Sequence, residues 1–238
     1  MFDPRTIDEL LARPRAKFSR RTLEDMIAEG ESNSLEFKRF FSSPDKMAKE
    51  MIAFANTKGG VILLGVDDDG TVVGVESEKS EAAEIEHTAQ FLCDPPIIVD
   101  IQIVQLTGRK EVVAVTIAES KDKPHTLVEY DTSGKRITNG AAHGYVRVKD
   151  RSMQASREVM KVMRSRRADA PPLRIAIGHN ERMLFEHLEK HERITVDEFA
   201  DLVNISRRRA SKILVDLVRA GTLLIHTVET TEFFTLAE

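Results

Sequence analysis

Two acidic residues five positions apart, Glu31 and Glu36 in the segment ESNSLEFK, precede an apolar stretch ending in AFANTKGG, and Asp67 opens a second acidic cluster in GVDDDG. Three carboxylates brought together can bind a hard divalent cation, which positions phosphate and activates water. The same residues have a plainer reading. Glu36 pairs with Lys38 or Arg39 across a sheet edge, and DDDG is a turn built from residues that favour turns.

A second group of residues is basic. Ser206 is followed by Arg207, Arg208, Arg209 and Lys212 at the start of an apolar-periodic segment, RRRASKILVDLVRA. In a helix-turn-helix the N-terminal part of the second helix enters the major groove, where arginine donates two hydrogen bonds to guanine and neutralises phosphate. Three successive arginines beside a helix cap serve no packing purpose. A further basic run, from Arg147 to Arg167, holds Arg147, Lys149, Arg151, Arg157, Lys161, Arg164, Arg166 and Arg167 against only Asp150 and Glu158. Lys38, Arg147, Lys149 and Arg151 are therefore candidates for a nucleic-acid track. The net charge of −4 argues against uniform coating of nucleic acid but leaves room for such local asymmetry.

Other motifs carry less chemistry. ANTKGGVI places its lysine before the glycines, the reverse of a phosphate-binding GxxxxGK loop, so Gly59 and Gly60 are expected to turn a helix tightly into a buried strand. His125 in KPHT stands alone and is expected to be structural. Cys93, the one cysteine, excludes an intramolecular disulfide and any Cys-rich zinc site.

The elements that must position these groups can be read from the pattern. A helix opens near Ser19 and closes on Gly30, with a short strand over Leu35 to Phe40. A helix follows from Ser43 to Asn56, then a continuous apolar strand over Val61 to Val66 with Thr71 to Val75 as its hairpin partner. Glu78 to Leu92 reads as a helix, Ile97 to Leu106 and Glu111 to Ile117 as paired strands, Tyr145 to Val148 as a strand, and Ala155 to Arg167 as a basic helix. Strands and helices mix without regular alternation, which predicts a mixed-sheet α+β domain. ADAPP then marks a linker. Beyond it, three helices precede two strands: Glu181 to His191, a short helix with a Thr195/Glu198 capping box, and the arginine-led helix whose apolar face is Ala210, Ile213, Leu214, Leu217 and Val218. That is the order of a winged helix-turn-helix, although the turn around Glu229 carries no basic residue. The expected organisation is an N-terminal arm over 1–22, the α+β domain over 23–167, a linker over 168–178 and the winged domain over 179–238.

With 238 residues and 41% apolar content the chain can bury substantial cores, and it contains no membrane-length apolar run. The N-terminus lacks the apolar segment of a secretory signal, so a cytoplasmic location is expected.

In detail the stretch from ESNSLEFK through AFANTKGG and GVDDDG, with KPHT and GYVRVKDRSMQAS in the same order later, resembles the Schlafen AlbA-type domain over about 130 residues. The resemblance implies nucleic-acid binding. It also implies that in RNA-cleaving relatives acids matching Glu31, Glu36 and a third residue, Asp67 or Asp68, form a metal-dependent nuclease site. The leading expectation is a homodimeric DNA-binding transcriptional regulator without a cofactor. The alternative is an endoribonuclease acting on structured RNA with Mg²⁺ or Mn²⁺ held by Glu31, Glu36 and Asp67.

Overall fold

The structure, a computed structural model, describes residues 17–137, 142–228 and 231–237. Contacts divide the chain after Ala155 into two compact units.

In the first unit, α1 (Arg20–Glu29) begins at Ser19, whose hydroxyl accepts the Thr22 N–H at 3.1 Å. It leads to β1 (Leu35–Lys38), α2 (Pro44–Asn56) and β2 (Gly59–Leu64). Then come α3 (Glu78–Phe91), β3 (Cys93–Asp94), β4 (Val99–Gln105), β5 (Glu111–Ala118), β6 (Thr126–Leu127), β7 (Tyr145–Val148) and β8 (Arg151–Gln154). The main sheet has the order β1-β2-β5-β4, with β1 parallel to β2 and the other pairs antiparallel. This is the mixed-sheet α+β arrangement expected.

Alternation along the strands decides what each face buries. Ile62, Leu64, Val113, Val115 and Ile117 pack with Met51, Ile52 and Phe54 of α2 and Ile85 and Ala89 of α3. Leu35, Phe37, Val61, Leu63, Val112 and Ala114 pack on the other face with Leu23 and Met26 of α1. Phe18 joins that second cluster, so residues 17 to 22 belong to the unit rather than to an arm; the rest of the expected arm lies outside the described residues. The expected strand over Thr71 to Val75 does not form, and a single bridge joins Val66 to Val72 instead. A strand unforeseen from sequence, β8, pairs back on β7.

The junction of α2 and β2 depends on glycine. Gly59 has φ +80°, and a Cβ there would lie 2.6 Å from the Ile117 carbonyl oxygen; at Gly60 it would lie 2.2 Å from the Phe54 ring. The pair lets two backbones and an aromatic ring meet, as anticipated. Gly59→Ala is expected to destabilise the first unit by about 1–3 kcal/mol, since strain and a backbone clash coincide. Urea unfolding with an unchanged midpoint would refute this.

The second unit contains α4 (Arg157–Ser165), α5 (His179–His191), α6 (Val196–Leu202), α7 (Arg207–Arg219) and the antiparallel pair β9 (Leu223–Val228) and β10 (Thr231–Leu236). Its core joins Leu184 and Leu188 of α5, Phe199 of α6, Ala210, Leu214, Leu217 and Val218 of α7, and Phe234 of β10. Val162 of α4 is buried in the same cluster. The basic helix expected at the end of the first domain therefore packs with the second unit. Residues 168–178, which form no helix or strand, connect elements within that unit. The Thr195/Glu198 capping box forms: Glu198 N–H donates to Thr195 Oγ1 at 3.3 Å and Thr195 N–H to Glu198 Oε2 at 2.7 Å. Among the described residues no helix is long and apolar enough to cross a membrane.

Candidate nucleic-acid interface

Glu36 lies on β1 between Leu35 and Phe37, which are buried against α1, and alternation turns its side chain to the opposite face. There it is 7% exposed and needs a partner, because a buried charge without one is costly. Arg147 of β7 supplies it. Its guanidinium donates to Glu36 Oε2 at 2.9 Å, Glu50 Oε2 at 3.0 Å, Ser152 Oγ at 3.2 Å and the Ser32 carbonyl at 2.8 Å. The group stacks over Phe54 with its carbon 4.7 Å from the ring centroid. The other Glu36 oxygen takes the Lys38 ammonium, which also donates to the Phe37 carbonyl at 3.0 Å.

Arg147 is thus a correction to the nucleic-acid track. Its side chain is fully buried and its two amino groups are spent on protein acceptors, so it ties β1, α2 and the β7–β8 hairpin together. Glu50 and Ser152, which complete the network, were not singled out from sequence. The signal for Glu50 was present: it stands three residues after Met47 and four before Phe54, inside the buried stripe of α2.

The acidic set is only partly gathered. Glu31 Oε1 accepts the Phe37 N–H at 2.9 Å. Burial is the main cause of its carboxyl's rise above the ordinary range, with Glu36 and Asp68 adding to it and the Phe37 N–H and Lys38 opposing. Asp67 pairs with Arg39 at 3.4 Å, and its carbonyl accepts the Gly70 N–H at 2.8 Å. Asp69 accepts the Thr71 N–H at 2.8 Å, so DDDG is a turn in fact. Among the described residues no three acidic, histidine or cysteine side chains converge as a cation site.

His125 is structural. Its ring nitrogens meet the Pro95 carbonyl and Ser120 Oγ, each at 2.7 Å, and its backbone pairs both ways with the Asn56 amide. Burial lowers its pKa below the usual histidine value. The sign follows: the unfolded chain binds a proton near the ordinary value of about 6.5 while the folded one resists it, so this contribution is complete above that value and lost as pH falls through the window below it. His125→Gln is expected to flatten the fall in unfolding free energy between about pH 7 and the depressed pKa. Parallel slopes for parent and variant would refute it.

The remaining track residues are accessible. Lys149, at φ +57°, and Arg151 lie exposed at the turn of the β7–β8 hairpin, and Lys38 is partly exposed beside Glu36.

In the second unit Asn204, at φ +51°, turns the chain between α6 and α7. Ser206 caps α7 by accepting the Arg209 N–H at 3.3 Å. Arg207 Nε meets Asp197 Oδ1 at 2.7 Å and Lys212 meets Asp216 at 2.6 Å. Arg208 and Arg209 are exposed, and among the described residues neither makes an ion pair. The tip of the β9–β10 turn, residues 229–230 with Glu229, lies outside the described residues. At its base Glu232 is half buried; burial first, then Glu158, raise its pKa against the Ser156 hydroxyl and Arg207.

A model of the family described as Schlafen, AlbA_2 matches residues 31–156, more than half of the chain. Among solved structures, the DIP2311 protein of Corynebacterium diphtheriae is 20% identical with a TM-score of 0.40. That match covers 71% of this chain but 34% of the other, about a third of its length. The N-terminal domain of a RecG-related ATP-dependent DNA helicase protein of Nitrosomonas europaea is 21% identical with a TM-score of 0.39, over 68% of this chain and 97% of the other. No curated protein matches the chain.

Proposed function

We propose that this chain, which belongs to the Schlafen AlbA_2 family, is a nucleic-acid-binding protein that contacts duplex DNA through a winged helix-turn-helix in its second unit and regulates transcription. The observation that carries the reading is the start of α7. There a capped helix presents two adjacent arginines without ion-pair partners, flanked by Arg207 and Lys212, whose exposed pairs are weak enough to be exchanged for phosphate. The buried Ala210, Leu214, Leu217 and Val218 fix the helix from behind, so the arginines are carried on a rigid element. In the first unit Lys149 and Arg151 supply additional contacts to the phosphate backbone. The protein acts as a homodimer, because one recognition helix reads only a few base pairs and a second half-site supplies the missing affinity.

The endoribonuclease alternative requires free carboxylates, and that of Glu36 is held in a buried pair with Arg147 and a second with Lys38. Titrating the full chain with labelled duplex DNA and with labelled tRNA, each with and without Mg²⁺ or Mn²⁺, tests both readings. Salt-dependent DNA binding without RNA cleavage is expected. Metal-dependent tRNA cleavage that disappears in a folded Glu36→Ala variant would overturn the regulator reading. A strictly monomeric mass in sedimentation, with and without DNA, would overturn the dimer.

A further inference from the structure

Between α4 and α7 lies a concavity of about 500 Å³ lined by Lys161, Ser206, Arg208, Arg209, Lys212, Val215 and Asp216. We propose that this groove seats a phosphate of the DNA backbone, and that Lys161 of α4 is a DNA contact lying outside the helix-turn-helix. The proposal rests on the DNA reading of α7 and extends it to a helix that ends at Ser165, well ahead of the α6–α7 pair that begins at Val196.

Four cationic side chains from two helices rim the groove, against the carboxylate of Asp216, which is already paired with Lys212. Lys161 is held for the purpose. Its ammonium donates to Ser211 Oγ at 2.7 Å, and the buried Ser211 hydroxyl donates in turn to Glu158 Oε1 at 3.1 Å. Glu158 is 5% exposed and lies 3.6 Å from the same ammonium, behind it rather than in the groove. The lysine side chain remains 43% exposed. A lysine whose ammonium is held by a buried serine, while much of its side chain stays exposed at the groove, loses little conformational entropy when an anion arrives. Val215 gives the groove an apolar wall on which the sugar next to the phosphate can rest. Sequence-independent contacts of this kind set the register of a recognition helix on the duplex.

The test compares the full-length parent with Lys161→Gln, Lys161→Arg and Lys212→Gln, using a labelled duplex over a range of salt and, separately, a labelled nucleoside triphosphate. Each phosphate contact contributes about 0.9 to the slope of log affinity against log salt. Lys161→Gln is therefore expected to lower that slope by about one, narrowing its gap to the parent about 3.5-fold between about 50 and 200 mM salt, equally for duplexes of any sequence. Lys161→Arg keeps the slope, and Lys212→Gln, which changes an exposed pair and leaves the core intact, lowers it similarly. If the parent binds duplex but Lys161→Gln keeps its slope, the groove proposal falls, whatever Lys212→Gln does, and the DNA reading of α7 stands. If the parent binds no duplex, the DNA reading falls and the proposal with it. Triphosphate binding that is lost in Lys161→Gln while duplex binding is unchanged would make the groove a site for free nucleotide and overturn its assignment to the DNA backbone.

Discussion

Arg147→Ala is expected to lower the stability of the first unit by about 3–5 kcal/mol, the loss usual when one partner of a buried ion pair is removed and the other is left uncompensated. Glu36 would keep only Lys38 and Glu50 only the Ser152 hydroxyl, and Phe54 would lose the guanidinium over its ring. Against the roughly 5–15 kcal/mol that holds a domain folded, this is a large share. The double variant Arg147→Ala, Glu36→Ala should cost less than the two single changes added together, because the second removes a charge that the first orphaned. Denaturant unfolding of the four proteins of this cycle gives the coupling directly. A folded Arg147→Ala protein of parental stability but weakened nucleic-acid binding would return the residue to the interface and remove it from the core.

The second large effect concerns Arg208 and Arg209. Their joint replacement by alanine is expected to weaken duplex DNA binding by about 1–3 kcal/mol for each arginine that reads a base, with tenfold in affinity for every 1.4 kcal/mol. The salt dependence should flatten as well, since each cation that meets a phosphate releases counterions. The fold should not suffer: both side chains are exposed, and the helix retains its Ser206 cap and its buried face. Arg207→Ala should have a smaller effect, because Arg207 must first leave Asp197. Anisotropy titrations over a range of salt decide the matter. Unchanged affinity and slope in the double variant would remove α7 from the DNA interface.

These expectations differ in where their evidence lies. The sequence by itself determined most of the helices and the main strands, though not β8 or the absence of a strand over Thr71 to Val75. Periodicity, the Ser19, Thr195 and Ser206 caps and the breaks at Gly30 and Gly59 are local features, and a local pattern is set by the residues that show it. The exposure of Arg208 and Arg209 at the capped start of α7 was legible for the same reason, whereas the pairing of Arg207 with Asp197 of α6 was not. Tertiary structure alone decided the roles of Glu36 and Arg147, which are 111 positions apart and meet because β7 packs on α2, on the face of the sheet to which Glu36 turns. A charge near a strand or loop looks the same in sequence whether it faces water or a buried partner; burial distinguishes the two, and burial is a property of the assembled layers. The basic helix α4 followed the same rule. Its composition was plain from the chain, but its allegiance to the second unit rests on Val162 entering the core of α7, a contact that no local pattern encodes.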